Sequence, residues 1–210
     1  IDLSGKDLSG TILTGANMPG ANLSFIDLSG KDLSGTILTG ANMLGANLSG
    51  ADLANADLSN ANLSEVNLSN ANLIGAIVAG ANMTNATMYD VDLTEIKDEH
   101  LVGKDLIGTI LTGANLQNAK LSNLNFSGKD LSGTILSGAN LSGVIMNNAD
   151  LSNANLSGAD LSDSMITETL MSNANLSRAD LSGSDLSGAI LGNNNTSGAK
   201  LNCLNHSICN

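Results

Sequence analysis

The chain has 210 residues, enough for one or two ordinary domains, but Phe25, Tyr89 and Phe126 are its only aromatic residues, Trp is missing and Pro occurs once, so an aromatic-rich globular core is ruled out. A hydrophobic content of 42% is too high for a disordered chain. Eight Lys and Arg against 20 Asp and Glu give a net charge of −12, which argues against a basic nucleic-acid reader, and no apolar run approaches the length of a membrane-spanning helix.

From Ile1 the sequence repeats every five residues: IDLSG, KDLSG, TILTG, ANMPG and onward to VDLTE at 91–95. Residues 96–98 break the count. The period resumes at Glu99 and runs to Cys203, giving 19 quintets, a short insertion, 21 quintets continuous with the first set, and a tail at 204–210. The central residue of the quintet is apolar in 39 of 40 cases, Thr196 being the exception, and the residue two before it is most often Ala. One large and one small apolar residue separated by a polar one is the period-two signature of a short strand with one buried face. Between them stands Asp or Asn in 27 quintets; after the centre comes Ser or Thr in 28, and the last position takes 22 of the 23 glycines. Ser followed by Gly or Asn is turn chemistry, because Gly and Asn accept backbone conformations that other residues avoid. Each quintet is therefore a strand-like side plus a corner. A helix is excluded: Leu at every fifth position advances about 140° per step at 3.6 residues per turn, so no apolar stripe forms. Sides this short bury a face only by stacking, and the expected class is an all-β solenoid whose coils share backbone hydrogen bonds.

The A-[DN]-L-S-G quintets resemble those of the pentapeptide-repeat family, and the resemblance covers residues 1–203. It implies a right-handed quadrilateral β-helix with four quintets per coil and the central and small residues pointing inward. Forty quintets would then make about ten coils, a rod on the order of 48 Å long at about 4.8 Å per stacked strand.

Departures from the repeat are where function can be sought. The insertion brings Lys97, Asp98, Glu99 and His100 together, and charge at that density requires a surface loop. It is a candidate contact with a protein partner, or else a solvated bulge between two duplicated segments. The block GKDLSGTILTGAN recurs, nearly intact, at 5–17, 30–42, 103–115 and 128–140. Its spacing of five quintets within each pair moves it one face around a four-sided coil, so it reads as a duplication. Lys6, Lys31, Lys104 and Lys129 fall at the nominally inward small position and are expected to snorkel outward. In the second segment, Ile145, Met165, Leu170 and Ile190 occupy the outward Asp/Asn position. Four-quintet coils stack 145 on 165 and 170 on 190, on adjacent faces, which predicts an exposed apolar patch and a candidate dimerisation surface.

The tail carries Cys203 and Cys209 with His206 between them. Three states stay open on the sequence: free thiols, a disulfide closing the short loop in an oxidising compartment, and a C-x-x-H-x-x-C metal site that lacks a fourth ligand. No catalytic group is identified, since His100 and His206 have no recognisable nucleophile partner and the acids recur at an outward period instead of converging on a pocket. No cofactor is implied.

The leading expectation is a non-enzymatic structural or protein-interaction rod. It would bind a protein partner or self-associate through the apolar patch or through ends that start in register without a capping helix. Direct nucleic-acid binding and membrane insertion are not expected. The alternative is an acidic DNA mimic: the family resemblance includes members that bind DNA gyrase, but those carry Phe-rich centres and a helical dimerisation segment, whereas here Phe126 alone is aromatic at the centre. An ice-binding hydroxyl array is disfavoured because Ser far outnumbers Thr. A bacterial or organellar protein fits, and the compartment, cytoplasmic or exported and lumenal, stays open; Ile at position 1 suits a processed or trimmed chain.

Overall fold

In the computed structural model, which describes residues 1–91 and 111–209, sides of the coil pair with the side 20 residues later, apart from those at Asp7 and Ile12, which form no bridge, and the pairing of Asp185 with Leu204. Parallel bridges join Asp2 to Asn22, Asn22 to Asn42 and Asn42 to Asn62, and the same step recurs in the second half from Asn115↔Ile135 to Asp180↔Lys200. Four quintets therefore make one turn, and the fold is a right-handed quadrilateral β-helix. Two units separate, Ile1–Leu111 and Thr112–Asn210, each wound on this plan.

The quintet at 41–45 shows why five residues suffice for a side and a corner. The Asn42 N–H donates back to the Ala21 carbonyl (2.9 Å), while the Met43 and Gly45 N–H groups donate forward to Asn62 (2.8 Å) and Ser64 (2.9 Å). Three inter-coil bonds per quintet satisfy most of the backbone that so short a side would leave unpaired. At the corner, the Ala46 N–H donates to the Met43 carbonyl (3.0 Å), closing a four-residue turn whose third residue, Gly45, has φ +62°. That is the type II arrangement, which demands φ > 0 at the third residue. The demand extends to corners without glycine: Glu65, Glu168 and Arg178 adopt φ of 58°, 54° and 60° although nothing in their side chains favours it.

Central residues such as Leu48, Leu53, Leu58 and Leu63 fill the interior beside Ala46, Ala51, Ala56 and Ala61, all of them buried. Phe126 is accommodated in the same kind of position, fully buried. Where a hydroxyl replaces the small residue, it finds a backbone carbonyl: Thr36 donates to Leu33 (2.7 Å), Thr134 to Leu131 (2.6 Å) and Thr169 to Met146 (2.8 Å). Burial without such a bond would cost roughly 1–3 kcal/mol each.

Candidate interaction surface

The outward Asp/Asn position has a structural duty on each side of the coil. Asp57 accepts the Ser59 N–H (2.9 Å) and the Ser59 hydroxyl (2.5 Å) on Oδ1, an Asx-turn that caps the coming corner. Asn at the same position adds a rung between coils, because its amide donates to the residue stacked below. Asn22 donates to Asp2 (3.1 Å), Asn42 to Asn22 (3.3 Å) and Asn62 to Asn42 (2.9 Å). The D/N-x-S/T spacing was visible in the repeat, and it is the signal that could have revealed the caps.

These bonds set the acidity of the face. In Asp2, Asp7, Asp27, Asp32, Asp130 and Asp185 the hydroxyl and N–H of the serine two residues on hold the carboxyl below its usual range. At Asp57 burial pushes upward, and donors from Ser59 and Thr39 outweigh it. Asp180 falls to about 2, first because Lys200 Nζ donates to its Oδ2 (2.6 Å) and then because Ser182 caps it; the same contact raises Lys200. A carboxyl whose folded pKa lies below its unfolded value, near 3.9, contributes stability that is fully present above that value and is lost as pH falls through the folded pKa. Thermal stability is therefore expected to stay level from about pH 7 to 5 and to fall between about pH 4 and 2, where Asp180 protonates last. A calorimetric pH series checks this. A melting temperature that rises on acidification would mean that relief of acid–acid repulsion outweighs the turn bonds.

Against this background the aliphatic replacements stand out. Ile145↔Met165 and Leu170↔Ile190 are direct bridge partners, so the structure stacks each pair on its own side of the coil. Met165, Leu170 and Ile190 are 47%, 41% and 53% exposed, and Ile145 is half-buried. The two strips flank one corner, at which Asn148, Glu168 and Gly188 follow one another, and the Glu168 side chain lies over Gly188. Each aliphatic side chain forgoes the Asx cap. Beside Met165, the Thr167 hydroxyl turns instead to Asn147 Oδ1 of the preceding coil (2.7 Å). Two of the other aliphatics at this position, Ile37 and Ile135, are stacked on Asn or Asp both before and after and form no strip.

Sequence reasoning missed one apolar residue nearby. Counting in fives puts Leu204 in the tail at an inward position, but it bridges Asp185 after a step of 19 residues. Its N–H donates to Ser184 (2.8 Å), and its carbonyl accepts from Leu186 (3.1 Å). The shortened corner turns Cys203 inward, where it is buried, and leaves Leu204 outward and 53% exposed. Cys203 and Cys209 are joined by a disulfide (Cα–Cα 4.8 Å), and His206 Nδ1 accepts the Ile208 N–H (3.2 Å).

Among the lysines at the small position, Lys6 is exposed, and Lys31 and Lys129 are half-buried. Lys31 Nζ reaches the Ser9 carbonyl on the preceding coil, the outward path expected of a snorkelling side chain. Lys104 lies outside the described residues, as do Lys97, Asp98, Glu99 and His100. Among the described residues, no group of three or more His, Cys, Asp or Glu is placed to hold a metal ion, and no helix is long and apolar enough to cross a membrane.

The family model for pentapeptide repeats matches the chain in 8 copies, over residues 1–30, 20–55, 51–88, 61–97, 100–128, 125–163 and 154–193. Among solved structures, the chain is similar to HetL, a pentapeptide repeat protein involved in heterocyst differentiation regulation from the cyanobacterium Nostoc sp. strain PCC 7120, with 30% identity, a TM-score of 0.57, and coverage of 91% of this chain and 92% of that one. A second Nostoc pentapeptide repeat protein, alr5209, is 33% identical over 47% of this chain and 84% of its own, with a TM-score of 0.41. QnrB1, a plasmid-mediated fluoroquinolone resistance protein, is 24% identical over 86% of this chain and 85% of its own, with a TM-score of 0.41. Among curated proteins the sequence finds no match.

Proposed function

The chain belongs to the pentapeptide-repeat family, and from that premise we propose that it is a non-enzymatic interaction protein that associates with a second copy of itself through the aliphatic strips of its second unit. The observation that carries this reading is the replacement of Asp/Asn by Ile145, Met165, Leu170 and Ile190 on consecutive coils, three of them more than two-fifths exposed. The exchange is unfavourable for the isolated coil, which gains exposed apolar area and loses a turn cap at each position. Contiguous apolar surface of this kind on a soluble fold marks a contact. A second copy is the favoured occupant because the strips flank a single corner and can be matched by the same corner of a two-fold related chain.

The repeat itself supplies the test. Asp is the ordinary residue at these positions, so the double variant Met165→Asp/Leu170→Asp is expected to fold as well as the parent, with Asx caps restored at Thr167 and Ser172. Sedimentation equilibrium at micromolar concentration should show the parent as a dimer and the variant as a monomer with an unchanged or higher melting temperature. A parent that sediments as a monomer, or a variant that still dimerises, removes the proposal.

A further inference from the structure

The last coil is built differently from those before it. In preceding coils the inward positions are filled by residues such as Leu151, Ala154, Leu156 and Ala159, all buried. In the last one, Asn194 and Thr196 take the small and central positions and Leu191 and Leu201 are only half-buried. The Asn194 side-chain amide is shielded from solvent, yet neither Oδ1 nor Nδ2 has a hydrogen-bond partner among the described residues. An unpaired buried amide and a diluted apolar column place this coil at the low-stability end of the stack, because a repeat unit is held only by its intrinsic stability and its neighbour interface.

What remains on the stabilising side is the backbone ladder and its fastening. Beyond Lys200, whose N–H donates to Ala179 (2.8 Å), the ladder ends in the out-of-register pairing of Leu204 with Ser184 and Leu186. That pairing is flanked by Cys203 on one side and by Asn205 on the other, the latter with φ 60° and its amide donating to Asp185 Oδ1 (3.0 Å). The disulfide from Cys203 to Cys209 then closes the segment around Leu204.

We propose that this disulfide is a redox latch on the last coil: oxidised, it holds residues 201–204 in the ladder; reduced, it lets them leave the Ser184–Leu186 edge. The opening step is a thiol–disulfide exchange with a dithiol reductant. The two electrons and two protons of the dithiol convert the Cys203–Cys209 bond into two thiols, and the dithiol leaves as its own disulfide. A cross-link over so short a loop stabilises chiefly by restricting the open state, and its loss weakens the local pairing.

The test is amide hydrogen exchange on the full chain in three forms: oxidised parent, parent reduced with dithiothreitol, and Cys209→Ser, which leaves the buried Cys203 in place. The Leu204 and Leu186 amides are expected to exchange on the order of 10- to 100-fold faster in the reduced parent and in C209S than in the oxidised parent. Leu121 and Leu141, deep in the same unit, should change by less than about twofold. Two freely alkylated cysteines in the protein before reduction would overturn the proposal, and so would unchanged exchange at Leu204 and Leu186 once both thiols are shown by mass to be free.

Discussion

Replacing Leu58 by Asp is expected to abolish the cooperative thermal transition of the coils around it, with a loss of more than about 4 kcal/mol. Leu58 is 0% exposed and sits in an inward column between Leu38 and Val78, one coil away on either side. A carboxylate there has no cation and no solvent, so it would have to protonate or drag its coil open. A solenoid responds to such damage differently from a globular core. Each coil contacts only its two neighbours, so opening one coil removes an interface from both of them. The comparison series separates charge from volume. Leu58→Ala should cost about 2–5 kcal/mol through lost contacts and a residual cavity. Leu58→Met should cost less than about 1.5 kcal/mol, as Met already fills this place at Met43, Met83 and Met88. Circular-dichroism melts with residue-resolved exchange over residues 33–88 measure all three. An Asp variant that melts with the parent would mean that the inward assignment of the central residue is wrong.

That assignment was legible in the sequence because burial imposes a strict demand at one position in five and the chain meets it almost without exception. Most corners are legible in the same way, with Gly or Asn at the residue with φ > 0, although Phe25, Glu65, Asp90, Asp163, Glu168 and Arg178 take that place too. Other features were only half legible. The outward Asp/Asn position declares its polarity in sequence, but its duty as a turn cap and an inter-coil rung depends on bringing residues 20 apart to within hydrogen-bond reach, as Asn62 and Asn42 are. Hence the acidity, which as a composition suggests a charged partner, is in structure largely the by-product of capping turns with carboxylates. Leu204 was illegible for another reason. A count in fives assumes that every corner keeps its length, and the corner before Cys203 is shortened by one residue, exchanging which side chain faces inward. The aliphatic strips lie between these cases: their stacking follows from a 20-residue period, while the Glu168 corner between them emerges only from the coil.

The corners carry the second large effect. Gly80→Val is expected to destabilise the first unit by about 2–4 kcal/mol, from a backbone term and a contact term that can be separated. Gly80 has φ +71°, a conformation that a β-branched residue adopts only as an outlier. A Cβ built on it would stand 2.4 Å from Asn60 Oδ1 and 3.8 Å from Asn60 Cα, the residue one coil earlier in the same column of corners. The oxygen is the far end of a flexible side chain and can swing into solvent, whereas the backbone lies at ordinary contact distance, so the clash is relieved at little cost. The φ demand has no such release, because Ser59, Asn60 and Ala61 below are fixed by the turn and the Asn60 N–H donates to Ala79 (2.8 Å). Gly80→Asn therefore makes the informative contrast. It brings the same Cβ to the same oxygen, but Asn tolerates the left-handed region and already stands there at Asn55, Asn60 and Asn70. The Asn variant should lose less than about 1 kcal/mol. Adding Asn60→Gly should restore little of the Val variant's loss. Equal losses for Val and Asn in chemical denaturation, or full recovery of the Val variant by Asn60→Gly, would mean that crowding between coils, and not the sign of φ, selects glycine at these corners.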